Sequence, residues 1–263
     1  MSVCVIYQYN HMQPQVATTS LDIYNTIITT ISGHRCGLRY PTEMKLSSEW
    51  LIRFVAPHQC LGCGREGVLC CAGCQEENFV PMPSRCFRCR RLTGEYAACR
   101  SCRSPLRHVW VTTEYDGLAR QPLHSYKFQR ARAAAATLAQ NITDTLPYLP
   151  SDTVVTYVPT ATKRMRVRGY DHAELIAREV AEMKSLPFRR LASRLTQSRQ
   201  VGASRAVRLK QLDGAFGLVD EAPRRVLIID DVVTTGATLE AMAVLLRRAG
   251  ARDVSAAVFA QKL

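Results

Sequence analysis

At 263 residues the chain is longer than one average domain and shorter than two large ones, which leaves room for one α/β domain plus a small module and excludes a peptide-sized scaffold. Apolar residues at 47%, charged residues at 22%, and 12 Pro beside 14 Gly exclude a disordered or collagen-like chain. The formal charge of +13 favours polyanionic partners, either nucleic acid or phosphorylated small molecules, without choosing between them.

Residues 1–43 carry no net charge, are rich in Thr and show no clear period. They read either as the product of an upstream start codon or as a flexible arm. The opening MSVCVIYQYNHMQ has neither a basic n-region nor a continuous apolar h-region, and no apolar run approaches the roughly 18 residues of a spanning helix. The expectation is a cytoplasmic chain without membrane insertion.

Eleven cysteines without an export signal read as metal ligands or redox groups rather than disulfides. Eight of them form four CxxC pairs within residues 44–107: Cys60 with Cys63, Cys71 with Cys74, Cys86 with Cys89, and Cys99 with Cys102. A CxxC turn lets two thiolates face one ion while backbone amides hydrogen-bond the sulfurs, and two such turns complete a tetrahedral Cys4 site. Taken in chain order, the pairs predict a double zinc ribbon with two structural zinc ions, iron being the alternative metal. Cys4, Cys36 and Cys70 are left over. The segment is poor in large apolar residues, so metal is expected to supply its folding energy. Arg85, Arg88, Arg90 and Arg91 surround the third turn and either meet phosphates or form a solvated face, the second being the commoner outcome.

From about His108 to residue 263 strands and helices alternate. Val109 to Thr113 predicts a strand, Gly117 to Tyr126 and Arg130 to Thr145 predict helices, and Val154 to Val158 is a β-branched run ended by Pro159. Asp171 to Met183 has helical spacing, with His172 expected as an exposed side chain at its start. Between Lys184 and Lys210 there are eight Lys or Arg and no acid, read as a mobile lid or a nucleic-acid track ahead of a basic surface without a partner. Val226 to Ile229 is a fully apolar strand, Leu239 to Ala249 a helix closed by Gly250, and Val254 to Phe259 a last strand. Such alternation predicts a parallel sheet with flanking helices and a binding site at the carboxyl ends of the strands.

At one of those ends stands Asp230-Asp231-Val232-Val233-Thr234-Thr235-Gly236-Ala237-Thr238. A buried strand delivers two adjacent carboxylates, and a Thr/Gly loop then opens a helix. Free amides of the Thr234 to Thr238 turn, the hydroxyls and the positive helix end would cradle a phosphate, with Gly236 letting the backbone approach closely. The two carboxylates suit ribose hydroxyls or hydrated Mg²⁺.

This stretch resembles the phosphoribosyltransferase signature, whose loop holds the 5′-phosphate of phosphoribosyl pyrophosphate (PRPP). Arg166-Val167-Arg168-Gly169-Tyr170-Asp171-His172-Ala173-Glu174-Leu175-Ile176-Ala177 resembles the RGFNxAELLA element of the ComF family, and the run from Thr196 through Arg208 to Phe216 resembles its T-x-x-Q-x-G-x-S loop. With the cysteine turns in front, the resemblance covers nearly everything from Met44 onward. It implies a type I phosphoribosyltransferase-like α/β fold at 108–263, preceded by the double zinc ribbon at 44–107. It also implies binding of PRPP or ribose 5-phosphate with Mg²⁺: Asp230 and Asp231 would be the catalytic pair, Thr234, Thr235, Gly236, Ala237 and Thr238 would hold the 5′-phosphate, and Lys163, Arg164 and Arg168 would form a pyrophosphate loop. The chain departs from the family at Asp171-His172, where Asn-Gln is usual, and at Gln211, where Asn is usual.

Three functions follow from the resemblance. One is a PRPP-dependent transferase acting on a nitrogenous acceptor. Another is a natural-competence factor whose ribbon and basic surface bind single-stranded DNA or DNA-uptake proteins around a PRPP-sensing site. The third is a non-catalytic regulator of nucleotide metabolism.

Overall fold

The computed structural model describes residues 59–120, 131–160, 170–195 and 214–262, with no side-chain detail for 131–133. The expectations for residues 1–43, for Cys4 and Cys36, for Lys163, Arg164, Arg166 and Arg168, for Arg199 to Lys210 and Gln211, and for a helix running past Arg120 to Tyr126 lie outside the described residues. All the described residues fall in one compact unit.

In chain order the elements are α1 (Ala72–Asn78), β1 (Val109–Glu114), a 3₁₀ turn (Gly117–Ala119), α2 (Ala131–Thr145), β2 (Thr153–Tyr157), α3 (His172–Met183), β3 (Ala192–Arg194), β4 (Phe216–Leu218), β5 (Arg225–Val233), α4 (Ala237–Arg248) and β6 (Asp253–Gln261). Four strands form one sheet in the order β1-β6-β5-β2. All its pairings are parallel. The central strands β5 and β6 are nearly continuous apolar runs because both their faces are covered. Leu227 and Ile229 pack with Leu138 and Ile142 of α2 and Ile176 and Val180 of α3. On the other face Val226 and Ile228 pack with Leu239, Met242 and Leu246 of α4. This alternation along β5 follows from the two-residue period of a strand.

The cysteine-rich segment contributes to both cores. Cys60, Cys71, Cys74 and Phe79 join the α2/α3 side. Phe87 and Leu106 join the α4 side. The segment also runs along the outer edge of β1, where Pro81 bridges Thr113, Ala97 bridges His108, and Met82 N donates to Thr112 O at 3.2 Å. The opposite edge is covered too, since Val155 N donates to Pro187 O and Arg189 N to Val155 O.

Besides α1, for which the sequence carried no expectation, three strands differ from it. β5 runs four residues past Ile229, so Asp230 and Asp231 lie inside the strand rather than beyond its end. The reason is the register: β6 continues pairing through Val233 with Gln261, whereas β2 stops at Tyr157 opposite Ile229. The antiparallel pair β3 and β4 has no strand pattern in the sequence; it forms because Ala192 and Phe216 bury against the α4 core.

Candidate functional site

Because β5 outruns β2 by four residues, the acidic pair sits on a step at the carboxyl end of the sheet, half-buried. Both carboxylates brace the local backbone: Asp230 Oδ1 accepts from Asp231 N at 2.9 Å and Asp231 Oδ1 from Val232 N at 2.7 Å. The chain then turns through exposed Thr234 and half-buried Thr235 to Gly236, the residue that caps α4 with φ 75° and ψ 0°. A left-handed conformation of this kind is cheap only for glycine. Thr235 Oγ1 accepts from Ala237 N at 3.4 Å, and the cap residue Gly236 offers no side chain to the other first amides of α4. Those amides, at the positive end of the helix dipole, suit an anion. The structure thus sets Asp230 and Asp231 near the end of β5, Thr234 and Thr235 in the turn that follows, and Gly236, Ala237 and Thr238 at the start of α4.

Across from that turn β2 ends at the level of Ile229, with Val158 N donating to Ile229 O at 3.1 Å. Thr160, three residues beyond β2, is tied to Asp171, which accepts from Thr160 N at 2.7 Å and from Thr160 Oγ1 at 2.9 Å. Burial raises the pKa of Asp171, and these hydrogen bonds oppose the rise. The Asp that replaces the family's Asn therefore has a structural task. His172, expected on the surface, is 3% exposed and stacks on Tyr170 at 5.0 Å, because the first turn of α3 faces the sheet.

In the described part of the basic run beyond α3, residues 184–195, the arginines are engaged. Arg190 reaches Glu174 Oε1 at 2.5 Å, and Arg189 reaches Asp220 at 2.6 Å. Arg194 lies 5.2 Å from the Phe216 ring centre. Despite partial burial, the hydrogen bonds from Arg190 and Arg178 hold Glu174 below the usual carboxylate range.

The eight CxxC cysteines form two groups, Cys60, Cys63, Cys71, Cys74 and Cys86, Cys89, Cys99, Cys102, with all sulfurs of a group within 4.8 Å of one another. Cys63 and Cys71 sulfurs are 3.6 Å apart, and those of Cys89 and Cys99 3.5 Å. A tetrahedral zinc with Zn–S of about 2.3 Å needs an S···S edge of about 3.8 Å, so both groups could hold a zinc ion. Burial opposes ionisation of Cys60 and Cys86, but backbone amides donate to their sulfurs and bring each thiol down to about 6. One such bond is Cys71 N to Cys60 Sγ at 3.3 Å. Burial and the neighbouring thiolates push Cys70 the other way, to about 12, and it belongs to neither group.

One contact is absent from the sequence reading. Phe87, between Cys86 and Cys89, is 1% exposed and packs against Gly236. A β-carbon at Gly236 would lie 2.3 Å and 2.5 Å from Phe87 Cε2 and Cδ2. The room glycine leaves is thus taken by the ribbon's aromatic ring. Next to it, Arg88 is not part of a solvated face. Its Nε lies 3.0 Å from Glu240 Oε1, an ion pair not aligned as a hydrogen bond, and its Nη1 donates to the carbonyls of Cys102 and Arg103. Glu240, in the first turn of α4 and 3% exposed, also accepts from Ser104 Oγ at 3.1 Å. A large apolar residue inside a CxxC turn was the available signal for this contact.

Residues 167–263 match the family model described as a phosphoribosyl transferase domain. Competence protein F of Haemophilus influenzae is 26% identical over 213 residues, spanning 70% of this chain and 93% of that protein. The parallel sheet, its flanking helices and the matched domain give an α/β fold of the phosphoribosyltransferase kind, and the resemblance drawn from the ComF motifs holds. Among solved structures, the allosteric regulatory enzyme of purine biosynthesis is 22% identical over 47% of this chain and 25% of its own, with a TM-score of 0.34. The glutamine PRPP amidotransferase of B. subtilis is 19% identical over 51% of this chain and 30% of its own, TM-score 0.36, and a hypoxanthine phosphoribosyltransferase of Staphylococcus aureus 14% over 47% and 61%, TM-score 0.31. The chain spans less than two thirds of each of these structures, and likenesses of that extent say nothing of activity.

Proposed function

We propose that the turn from Asp230 to Thr238 binds PRPP, and that the protein is a phosphoribosyltransferase-like protein of the ComF type. The observation that carries this reading is the joining of a half-buried acidic pair, an open Thr/Gly turn and the amino end of α4 at the carboxyl edge of a parallel sheet. The amides of Gly236 to Thr238 with the Thr234 and Thr238 hydroxyls would hold the 5′-phosphate, and Asp230 and Asp231 the ribose hydroxyls. Lys163, Arg164 and Arg168, carried on the segment that leaves β2, would neutralise the diphosphate. Mg²⁺ bound with the diphosphate would supply further charge neutralisation there. If turnover occurs, the bond from the anomeric carbon to pyrophosphate breaks through an oxocarbenium-like state and a bond to an acceptor nitrogen forms. The two Cys4 groups would each take a structural zinc, their closed ligand sets leaving no position for substrate.

The deciding experiment is calorimetric titration of metal-loaded protein with PRPP and Mg²⁺. Binding in the micromolar to submillimolar range is expected. No binding at millimolar ligand, about −4 kcal/mol on the affinity scale, would overturn the reading. Pyrophosphate release in the presence of pooled bases and amines separates an enzyme from a sensor.

The name of the Haemophilus influenzae relative favours a place in natural competence; single-stranded DNA or DNA-uptake proteins as partners and the cytoplasm as location are proposed alongside it. Against a track along the described surface, Arg189 and Arg190 are already engaged by carboxylates. Salt-dependent retention on single-stranded DNA is the test, and none at low salt would remove that role. Among the described residues no helix is long and apolar enough to cross a membrane.

A further inference from the structure

We infer that the turn of the second Cys4 group is the support of the anion loop, so that metal held by Cys86, Cys89, Cys99 and Cys102 sets how well the first turn of α4 binds phosphate. The inference rests on the reading of that loop as a phosphate site. Two contacts carry it, one of shape and one of charge, and both come from the two residues that Cys86 and Cys89 enclose.

The contact of shape is Phe87 on Gly236. The ring fills the space on one side of the glycine, so the left-handed turn that aims the amides of α4 is packed from behind by the metal-binding turn. Gln261 at the end of β6 fixes the same turn by donating from Nε2 to Phe87 O at 2.9 Å. With no metal, no ion bridges the four sulfurs that lie within 4.8 Å of one another, and the turn between two of them has nothing to close it. Phe87 would then be free to leave Gly236.

The contact of charge is Arg88 on Glu240. Glu240 is a buried carboxylate one turn from the amides that would hold an anion, and alone it would repel a phosphate there. Arg88 cancels that charge from 3.0 Å while its other nitrogen is held by carbonyls of the Cys99-to-Cys102 turn and its neighbour. The guanidinium that makes the loop electrically fit for an anion is therefore aimed by the metal site. Phe87 and Arg88 are positioning residues: neither would touch the ligand.

Ribose 5-phosphate, titrated into the full metal-loaded chain, is the probe. Arg88→Gln is expected to weaken it about tenfold, and Arg88→Gln with Glu240→Gln to recover most of that loss, since a purely structural role would make the double variant worse than the single. Arg107→Gln, which breaks a contact between the ribbon and Asp253 at the opposite end of the strands, is expected to leave affinity unchanged. Phe87→Leu is expected to speed hydrogen exchange at the amides of residues 236–239, a reading that needs no ligand, and Cys89→Ser, with its metal content measured, to do the same. Unchanged affinity in Arg88→Gln, with the wild type binding, would overturn the inference and leave the proposed function intact; a wild type that binds neither ribose 5-phosphate nor PRPP would overturn the function itself. Unaltered exchange at 236–239 in both Phe87→Leu and Cys89→Ser would refute the mechanical half whatever the ligand does.

Discussion

Gly236→Ala tests two costs at one atom. The added methyl forces a side chain into φ 75°, a region that costs roughly 1–2 kcal/mol for a residue with a β-carbon. It also places that carbon 2.3 Å and 2.5 Å from the edge of a Phe87 ring that is 1% exposed and cannot swing into solvent. Overpacking of this kind costs roughly 1–3 kcal/mol, so the variant is expected to lose about 2–5 kcal/mol of unfolding free energy. Urea unfolding of zinc-loaded protein followed by circular dichroism reads this as a lower midpoint with an unchanged slope. In a Phe87→Leu background the overpacking part should shrink while the conformational part stays. A loss below about 0.5 kcal/mol in the wild-type background, under the cost of the backbone conformation alone, would refute the reasoning about this turn.

The remaining predictions concern the acids, the metal groups and pH. Asp230→Asn with Asp231→Asn is expected to weaken Mg²⁺-dependent PRPP binding while sparing ribose 5-phosphate, and calorimetry with both ligands would contradict the assignment if the two fell together. Metal analysis of reduced full-length protein should return close to two ions per chain, one fewer in Cys86→Ser, and two again in Cys70→Ser, because Cys70 stands in neither group. Glu174 has a depressed pKa in the folded protein, so the stability it contributes is present above the ordinary carboxylate range and is lost as pH falls through the depressed value. Melting temperatures of wild type and Glu174→Gln should therefore differ at neutral pH and converge in acid; a constant gap from pH 7 to pH 3 would show that Arg178 and Arg190 do not act through its charge.

The α/β alternation was legible because long apolar strands and amphipathic helices carry their own period: β1, β2, α2, α3, α4 and β6 lie within two residues of the expected bounds. So were the two metal groups, since ligand spacing is a local property, and the Asp-Asp-to-Thr turn, since one strand and one helix build it. What was not legible depends on pairs distant in sequence. β5 is longer than its apolar run because β6 still pairs with it beyond Ile229, and nothing in the residues 230–233 announces that partner. Arg88 looked like a surface charge beside Arg90 and Arg91, and only the arrival of Glu240, a buried acid from a helix far along the chain, makes it an interior one. His172 was misjudged for the same reason, as the helix that carries it turns its first residue toward the sheet.

The edge strand β1 has its outer neighbour immediately before it in the chain and its inner neighbour, β6, last of all. On a ribosome adding roughly 5–20 residues per second, β1 waits about seven to thirty seconds for β6 to be made. Through that interval Pro81, Met82 and Ala97 would be the partners available to Thr113, Thr112 and His108, provided the cysteine groups around them have found metal. A cell short of zinc would release nascent chains with a bare strand edge, the form most prone to pair with another copy. Yield of soluble protein should therefore depend on metal supplied during synthesis rather than after it.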